Sequence, residues 1–376
     1  VMIMDEQRTC SMCGTHVPAE ELHSFEEQEL CTRCLEDSTV LCCHCDERIW
    51  LSDNAGTDTF PLCQDCYDDH YTSCERCGCI LHQDAAFYPE DDRYNERPYC
   101  SDCYQILSHD EPIHNYYYKP TPLFYGKGPR YFGVELEIDG AGEDPSNASS
   151  LLDLANREEE CLYIKHDGSL DDGMELVTHP MSLEFQLQQM PWEALCRRAA
   201  ALGYHSHQTQ TCGLHVHVSR RAFGAYEWEQ DLSLARVLYF FERHWEEMLK
   251  FSRRTSRQLE RWAARYGYKE QPMDILDHAK KGYHGGRYTC VNLQNPTTVE
   301  FRMFRGTLKV NTILATLQMI DRICDVALFL SDDELKAMAW TTFVSGIQAE
   351  RYPQLVQYLK ERRLYVNDPV EGEVED

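Results

Sequence analysis

The sequence has no run of about 18 apolar residues, which is the length that a membrane-spanning helix needs. Its first residues, VMIMD, are too short for the apolar region of a secretion signal. We therefore expect neither a membrane span nor secretion. The predicted location is the cytoplasm.

Basic residues are also scarce, because 36 Lys and Arg stand against 63 Asp and Glu, which gives a formal net charge of -27. Such a chain repels a phosphate backbone unless a local basic patch overrides its field, so nucleic acid is not an expected partner. The imbalance is uneven. Residues 1–110 carry 24 acidic and 6 basic side chains, net -18, which leaves 39 and 30, net -9, for residues 111–376.

Cysteine, by contrast, is abundant, and 12 of the 19 cysteines form six Cys-x-x-Cys pairs in the first 103 residues. They form three repeats of two pairs each, and the first pairs of successive repeats begin 32 residues apart. Two such pairs supply the four corners of a tetrahedral zinc site, so the pattern predicts three zinc-ribbon or LIM-like fingers over residues 1–36, 37–70 and 71–110. The predicted zinc ligands are Cys10, Cys13, Cys31 and Cys34; Cys42, Cys45, Cys63 and Cys66; and Cys74, Cys77, Cys100 and Cys103.

Sequential pairing within each repeat is the simplest arrangement, although interleaved pairing across repeats would use the same cysteines. A site that four thiolates close has no open coordination position, so the predicted zinc is structural and the compartment reducing. Four neighbouring side chains are interpreted as bystanders, because four thiolates per site are already present. These are Cys43, Cys79, His44 and His82.

Residues 111–129 are rich in Pro and Tyr, lack periodicity and predict a linker. Residues 130–365 have the composition of a mixed helix and strand domain, and 366–376 predict a disordered acidic tail. Amphipathic periodicity predicts helices that cover one face of a sheet. These helical segments lie near residues 184–203, 231–264, 312–331 and 350–363.

Strict alternation in the segment YFGVELEID places Glu135 and Glu137 on one strand face, opposite apolar residues. The segment TCGLHVHVS places His215 and His217 on one face in the same way. Carboxylates hold divalent cations, and imidazoles bind metals or donate to phosphates. Each pattern alone also fits a solvated strand face or a satisfied histidine.

Two further segments carry charged side chains on strands. IKHDGSLDDGMELVTHP predicts a hairpin with Asp167 and Glu175 at its mouth or on neighbouring strands. TVEFRMFRGT places Glu300 and Arg302 on one face, with Arg305 where a glycine lets the strand bend. Because unpaired buried charges are costly, these groups either neutralise each other or line a polar cavity.

The strongest basic surface is a cluster of arginines, which fits a solvated helix face or, alternatively, guides an anionic nucleotide. Cys212 lies near His215, but alternation places the two on opposite sides of a strand, so a thiol nucleophile is not expected. The arginines of the cluster are Arg253, Arg254, Arg257, Arg261 and Arg265.

The motifs GVELEID, HDGSLDDGMELVTHP, CGLHVHVS and TVEFRMFRGTL, in this order over roughly residues 130–330, resemble those of the amidoligase family. That family is part of the carboxylate-amine ligase superfamily, with glutamine synthetase. The resemblance implies an α+β fold with a curved, mainly antiparallel sheet, one face of which holds ATP and divalent cations, and helices behind. It also implies that the metal and phosphate shell consists of Glu135, Glu137, Asp167, Glu175, one of His215 or His217, and Glu300, with Arg302 and Arg305 facing the γ-phosphate and the substrate carboxylate.

The implied function is an ATP- and Mg²⁺-dependent ligase that forms an amide or isopeptide bond through an acyl phosphate. The sequence has no Gly-x4-Gly-Lys-Ser/Thr loop, and the resemblance would explain that absence. Two alternatives stay open: a metal-dependent hydrolase that needs no ATP, and a non-catalytic zinc-finger adaptor. Expected partners are a carboxylate and an amine, of which either could be a protein or peptide that docks on the acidic fingers.

Overall fold

The computed structural model describes residues 7–88, 97–107, 111–116, 118–207, 211–281 and 287–365. The chain forms two compact units, Val1–His109 and Asp110–Asp376. The predicted acidic tail at 366–376 lies outside the described residues. Within the described ranges, no helix combines the length and the apolar composition that a bilayer crossing requires.

The first unit is a series of very short strands and helices that repeats three times. Its elements are β1 (Gln7–Thr9), β2 (His16–Pro18), β3 (Leu22–Phe25), β4 (Gln28–Cys31), α1 (Thr32–Ser38), β5 (Thr39–Leu41), β6 (Arg48–Trp50), α2 (Gln64–His70), β7 (Tyr71–Ser73), β8 (Ile80–His82) and α3 (Ser101–Leu107). In each repeat the first cysteine pair lies in the turn of a hairpin, β1–β2, β5–β6 or β7–β8. The second pair lies at the start of a helix, so the two pairs of each repeat come from different elements.

The same turn closes each of these hairpins. Gly14, Asp46 and Gly78 are 32 residues apart and have φ values of 73°, 61° and 72°. Each donates its backbone N–H to the carbonyl oxygen of the first cysteine of its own pair, at 3.0, 2.9 and 2.8 Å. Glycine adopts this left-handed conformation at no steric cost and aspartate tolerates it. The sequence repeat is therefore also a structural repeat.

The second unit is built on one six-stranded sheet. Its elements are β9 (Phe132–Asp139), α4 (Pro145–Ala155), β10 (Leu162–Lys165), β11 (Gly173–Thr178), α5 (Leu183–Gln188), α6 (Trp192–Ala201), β12 (Gly213–Ser219), α7 (Glu227–Arg243), α8 (Trp245–Ser252), α9 (Ser256–Trp262), α10 (Pro272–Lys280), β13 (Val291–Asn292), β14 (Thr298–Arg305), α11 (Val310–Phe329), α12 (Asp332–Ala337), α13 (Trp340–Ser345) and α14 (Pro353–Glu361). The strand order is β10-β11-β9-β12-β14-β13, and every neighbouring pair is antiparallel. The predicted α+β class with an antiparallel sheet is confirmed.

The apolar residues that alternate along the central strands form the core of this unit. Val134, Leu136, Val216 and Phe301 have no exposed surface and belong to one cluster with the side chains of the helices. The helix predicted over 231–264 is broken into α7, α8 and α9. The second break lies at Arg253, whose φ of 61° cannot continue a right-handed helix.

The stretch predicted as a linker packs on the second unit in its described part. The His114 N–H donates to Ile164 O, and the His166 N–H donates to His114 O, both at 2.8 Å. Tyr118 is only 4% exposed. The stretch thus covers the edge strand β10, which removes unpaired backbone groups from solvent.

Candidate active site and metal centres

Polar side chains form a continuous row across the sheet on the face opposite the core. In the strand register, Glu175 of β11 lies beside Glu137 of β9, and Glu135 of β9 lies beside His215 of β12. His217 of β12 lies beside Glu300 of β14. Since antiparallel partners that share a face have adjacent side chains, six of the predicted site residues are brought together by pairing alone.

These side chains line a cavity of about 670 Å³. Asp167, from the hairpin between β10 and β11, and Arg302, from β14, line it as well. The cavity therefore gathers all but one of the residues that the sequence assigns to the catalytic site.

Glu135 lies between the two histidines. Its Oε1 is 3.0 Å from His217 Nε2, and its Oε2 is 3.4 Å from His215 Nδ1. The contact with His217 lacks the alignment of a hydrogen bond, so His217 Nε2 has no hydrogen-bond partner. Thr298 Oγ1, at 3.1 Å, fixes the other ring nitrogen of His217. This ring nitrogen therefore faces the Glu135 carboxylate inside the cavity.

Glu300 is held from several sides. Asn292 Nδ2 donates to its Oε2 at 2.8 Å, and Arg302 Nη1 donates to its Oε1. His215 Nδ1 is 3.7 Å from the same Oε1. Because Asn292 and Arg302 each donate to a different oxygen, they set the orientation of the Glu300 carboxylate within the cavity.

Burial and mutual charge set the pKa values of this cluster. Burial opposes ionisation of Glu135, but His217 and His215 outweigh it and lower its pKa well below the usual value. Burial likewise opposes ionisation of Glu300, whose pKa is lowered mainly by His217. Burial and repulsion from Glu135 raise the pKa of Glu175 well above its usual value, and burial raises the pKa of Glu137. Added positive charge in the cavity would favour ionisation of Glu137 and Glu175.

The carboxylates fit divalent cations. Ligand atoms of Glu135, Glu175 and His215 lie within 4.8 Å of one another, as do those of Glu135, His217 and Glu300. Glu135 belongs to both groups and could bridge two ions. Carboxylate oxygens are the ligands that Mg²⁺ prefers, and the imidazoles also suit Mn²⁺-like ions.

Arg305 is the predicted site residue that does not line this cavity. The register between β12 and β14 shifts, so that Leu214 pairs with Phe304 whereas Val216 pairs with Phe301. The extra residue is a β-bulge, which turns Phe304 to the core and moves Arg305 to the polar face at the far end of the strand. There Arg305 lines a neighbouring depression with Arg253 and Arg254.

The predicted arginine cluster is not one surface. Arg257 is exposed, Arg261 stacks on the ring of Trp262 at 4.5 Å, and Arg265 pairs with Glu242 at 2.6 Å. Arg253 and Arg254 instead turn inward beside β14. Cys212 is buried and does not line the catalytic cavity.

Sequence reasoning missed several residues that line the cavity. Lys165 pairs with Glu175 in the register of β10 and β11, and its Nζ lies 5.4 Å from the ring centre of Tyr116. The alternation of side chains along the strand segment LYIK, which places Lys165 on the same face as Tyr163, could have identified Lys165. Asn292 lies on the two-residue strand β13, which is too short to give a periodic signal.

The thiols of the first two fingers group within a repeat. Cys10, Cys13, Cys31 and Cys34 form one group, and Cys42, Cys45, Cys63 and Cys66 form another, each with all sulfur atoms within 4.8 Å. Cys13 Sγ and Cys31 Sγ are 3.8 Å apart, and Cys45 Sγ and Cys63 Sγ are 3.9 Å apart. Two ligands about 2.3 Å from a tetrahedral zinc lie about 3.8 Å apart. The groups fit zinc with sequential pairing.

The third finger contains one thiol more than a zinc ion needs. The sulfur atoms of Cys74, Cys77, Cys79 and Cys100 lie within 4.8 Å of one another. The Cys103 thiol interacts with those of Cys100, Cys77 and Cys74 as well. Cys79, which we interpreted as a bystander, therefore belongs to a group of thiols that fits a metal ion. In the first two fingers the equivalent positions hold Thr15 and Glu47.

Comparison with protein families gives one match to this site. Residues 153–324, just under half of the chain, match the family described as "Putative amidoligase enzyme". The matched range contains Asp167, Glu175, both histidines, Glu300 and Arg302, and it begins after β9. The resemblance to the amidoligase family is confirmed.

No curated protein matches the chain. Among solved structures, the chain is similar to the crystal structure of a bifunctional glutathione synthetase from Pasteurella multocida, with 14% identity and a TM-score of 0.36. The likeness covers 63% of this chain and 47% of that protein. The chain thus spans about half the length of that enzyme.

Proposed function

We infer, from the amidoligase family match of residues 153–324 and from the cavity that these residues help to line, that the second unit is an ATP- and Mg²⁺-dependent carboxylate-amine ligase. The observation that carries the proposal is the row of carboxylates and imidazoles across one sheet face, with Arg302 at its end. Such a cavity suits phosphoryl transfer, which needs positioning and charge stabilisation more than a protein nucleophile.

In the proposed reaction, a carboxylate oxygen of one substrate attacks the γ-phosphorus of ATP, and ADP leaves. An amine nitrogen then attacks the carbonyl carbon of the acyl phosphate, gives up a proton and displaces phosphate. Magnesium, when bound there, would supply positive charge that stabilises the phosphate groups. Glu135, Glu175 and Glu300 would hold the cations.

Arg302 is the residue best suited to the transferring group. Its Nη1 donates to Glu300, whereas its Nε has no partner within the described residues. The ring of Tyr288, whose centre is 5.7 Å from the guanidinium carbon, supports the side chain. A guanidinium held in this way can donate to a phosphoryl or carboxylate oxygen without reorganising.

The thiol groups of the first unit support three structural zinc sites. Because the unit is strongly acidic, we propose that it docks a substrate or partner, with a cationic amine as the favoured class. Thiolate ligation requires a reducing compartment, which favours the cytoplasm.

The test is calorimetric binding of ATP to the zinc-loaded full chain, with and without magnesium. We expect magnesium-dependent binding that Glu135→Gln and Arg302→Gln each weaken about 10-fold or more, because each removes a charged contact. Glu350→Gln, at an exposed position, is the matched control and should bind as the wild type does. Phosphate release would then be screened with pairs of acids and amines.

Two results would count against the ligase. The first is a folded, zinc-loaded wild type that binds no ATP in the presence of magnesium. The second is hydrolytic turnover that needs a metal but no ATP, which would favour the metal-dependent hydrolase instead.

A further inference from the structure

A second depression, of about 710 Å³, adjoins the catalytic cavity, and Arg254 lines both. We call it the arginine depression, because Arg253, Arg254, Arg305 and Arg362 line it, with Lys250 beside them and Glu246 as the single carboxylate. So many cations on one concave surface are unexpected in a chain with a net charge of -27.

Within the described residues, backbone carbonyl groups, and not carboxylates, hold the guanidinium groups of Arg253, Arg254 and Arg362 in place. Arg254 Nη2 donates to Cys212 O and Phe304 O, at 3.3 and 3.4 Å. Arg362 donates to Lys250 O through Nε at 3.1 Å and through Nη2 at 2.8 Å. Carbonyl oxygens fix the position of a guanidinium group but do not neutralise its charge.

Arg253 is fixed in the same manner. It donates to the carbonyl oxygens of Arg305 and Gly306, which follow the bulge of β14. Within the described residues, no carboxylate lies within 4.0 Å of the guanidinium nitrogens of Arg253, Arg254 or Arg362. These three guanidinium groups therefore form no ion pair with a described carboxylate.

Arg254 is the arginine whose burial in this depression is energetically most costly. It is only 7% exposed, and its Nε has no hydrogen-bond partner. Burial lowers its pKa to about 10, with Glu137 opposing that shift and Arg302 and Arg305 adding to it. A buried cation with an unsatisfied donor is destabilising unless something else binds it.

We propose that the arginine depression binds an oxyanionic group of a substrate, placed next to the reacting carboxylate by the shared wall at Arg254. The proposal rests on the proposed ligase function and adds a substrate class to it. Two groups have this chemistry: a second acidic group on the carboxylate substrate, and a phosphate of the nucleotide. Planar guanidinium groups bind both bidentately.

The experiment is calorimetric titration of the zinc-loaded full chain with citrate and, separately, with inorganic pyrophosphate. Arg253→Gln and Arg362→Gln are the test variants, since both positions are less buried than Arg254 and more tolerant of substitution. Arg257→Gln removes the same charge from an exposed position nearby and is the control. We expect about 10-fold weaker binding in both test variants and wild-type binding in the control.

The source of the oxyanion follows from a parallel titration with Mg²⁺ and ATP. If Arg362→Gln weakens ATP and pyrophosphate together, the oxyanion is a nucleotide phosphate. If it weakens citrate and leaves ATP unchanged, the oxyanion is an acidic group of the second substrate.

Binding of neither probe to the wild type, or equal losses in Arg257→Gln and the test variants, would overturn the arginine depression as a binding site. Its failure is distinguishable from failure of the ligase proposal. If ATP binding depends on Glu135 but neither citrate nor pyrophosphate binds, the ligase proposal stands and the oxyanion site is rejected. If oxyanion binding depends on the arginines but ATP does not bind, the oxyanion site stands and the ligase proposal is rejected.

Discussion

Glu135 and Glu300 differ from ordinary surface carboxylates because each is contacted by side chains from other strands. Period-two alternation predicts which residues share a face, and this was sufficient to select Glu135, Glu137, His215 and His217. Alternation cannot predict which strands are neighbours. The contact of Glu135 with both histidines follows from the pairing of β9 with β12, two strands about 80 residues apart in the chain.

His244 is a residue whose chemistry only the packing decides. It is 3% exposed, and its ring lies 4.9 Å from that of Phe240 and 5.7 Å from that of Trp340. Burial, with a smaller contribution from Arg243, lowers its pKa from 6.5 to about 4. The unfolded chain therefore binds a proton between these pH values that the folded chain does not.

We predict that His244 makes the second unit less stable as the pH falls. The free energy of unfolding should be independent of His244 above about pH 6.5 and should fall by about 3 kcal/mol towards pH 4. His244→Gln removes this titration. Urea unfolding, followed by tryptophan fluorescence, should show a steeper acid loss in the wild type than in the variant. Parallel pH profiles would contradict the prediction.

At the scale of elements, tertiary packing overrides local periodicity at two places. The long apolar stripe over 231–264 predicts one helix, but the chain turns at His244 and Arg253 so that α8 and α9 can pack against β14. The bulge in β14 turns Phe304 to the core and Arg305 to the polar face, where Arg305 lines the depression beside the catalytic cavity. Neither a helix break without Pro or Gly nor a bulge gives a reliable signal in the sequence.

For the third finger, we predict that one of its five cysteines can be replaced without loss of zinc. Because the Cys79 thiol lies close enough to those of Cys74, Cys77 and Cys100 to complete a zinc site, Cys103→Ser should retain zinc, whereas Cys66→Ser in the second finger should lose it. The expected zinc content by atomic emission is three ions per chain for the wild type and Cys103→Ser, and two for Cys66→Ser.

The double variant Cys79→Ser with Cys103→Ser is the control, since it removes the spare thiol and should bind two ions. Equal zinc loss in Cys66→Ser and Cys103→Ser would mean that Cys79 does not ligate.

At the scale of the whole molecule, the two units are stabilised by different means. The first has three small clusters of buried apolar residues, each formed around its own cysteines. The second has one large core in which strands and helices share many fully buried side chains. Units of about 30 residues bury too little surface to fold without a metal or a disulfide.

We therefore predict that zinc removal unfolds one unit only. In differential scanning calorimetry, a zinc-selective chelator should abolish the transition of Val1–His109 and leave that of Asp110–Asp376 at the same temperature. Adding back zinc should restore the first transition. Loss of both transitions on chelation would contradict the assignment of separate stabilising forces.

Beyond the α+β class, which the resemblance to the amidoligase family implied, the sequence alone determined the features that depend on local spacing: the three thiol repeats and the strands that alternate charged with apolar residues. Such features follow from bond geometry and from the two periods of secondary structure. Only the tertiary structure decided the strand order, the bulge that turns Arg305 to the polar face, the fifth thiol of the third finger and the grouping of arginines in the arginine depression. These depend on contacts between residues far apart in the chain, which spacing does not encode.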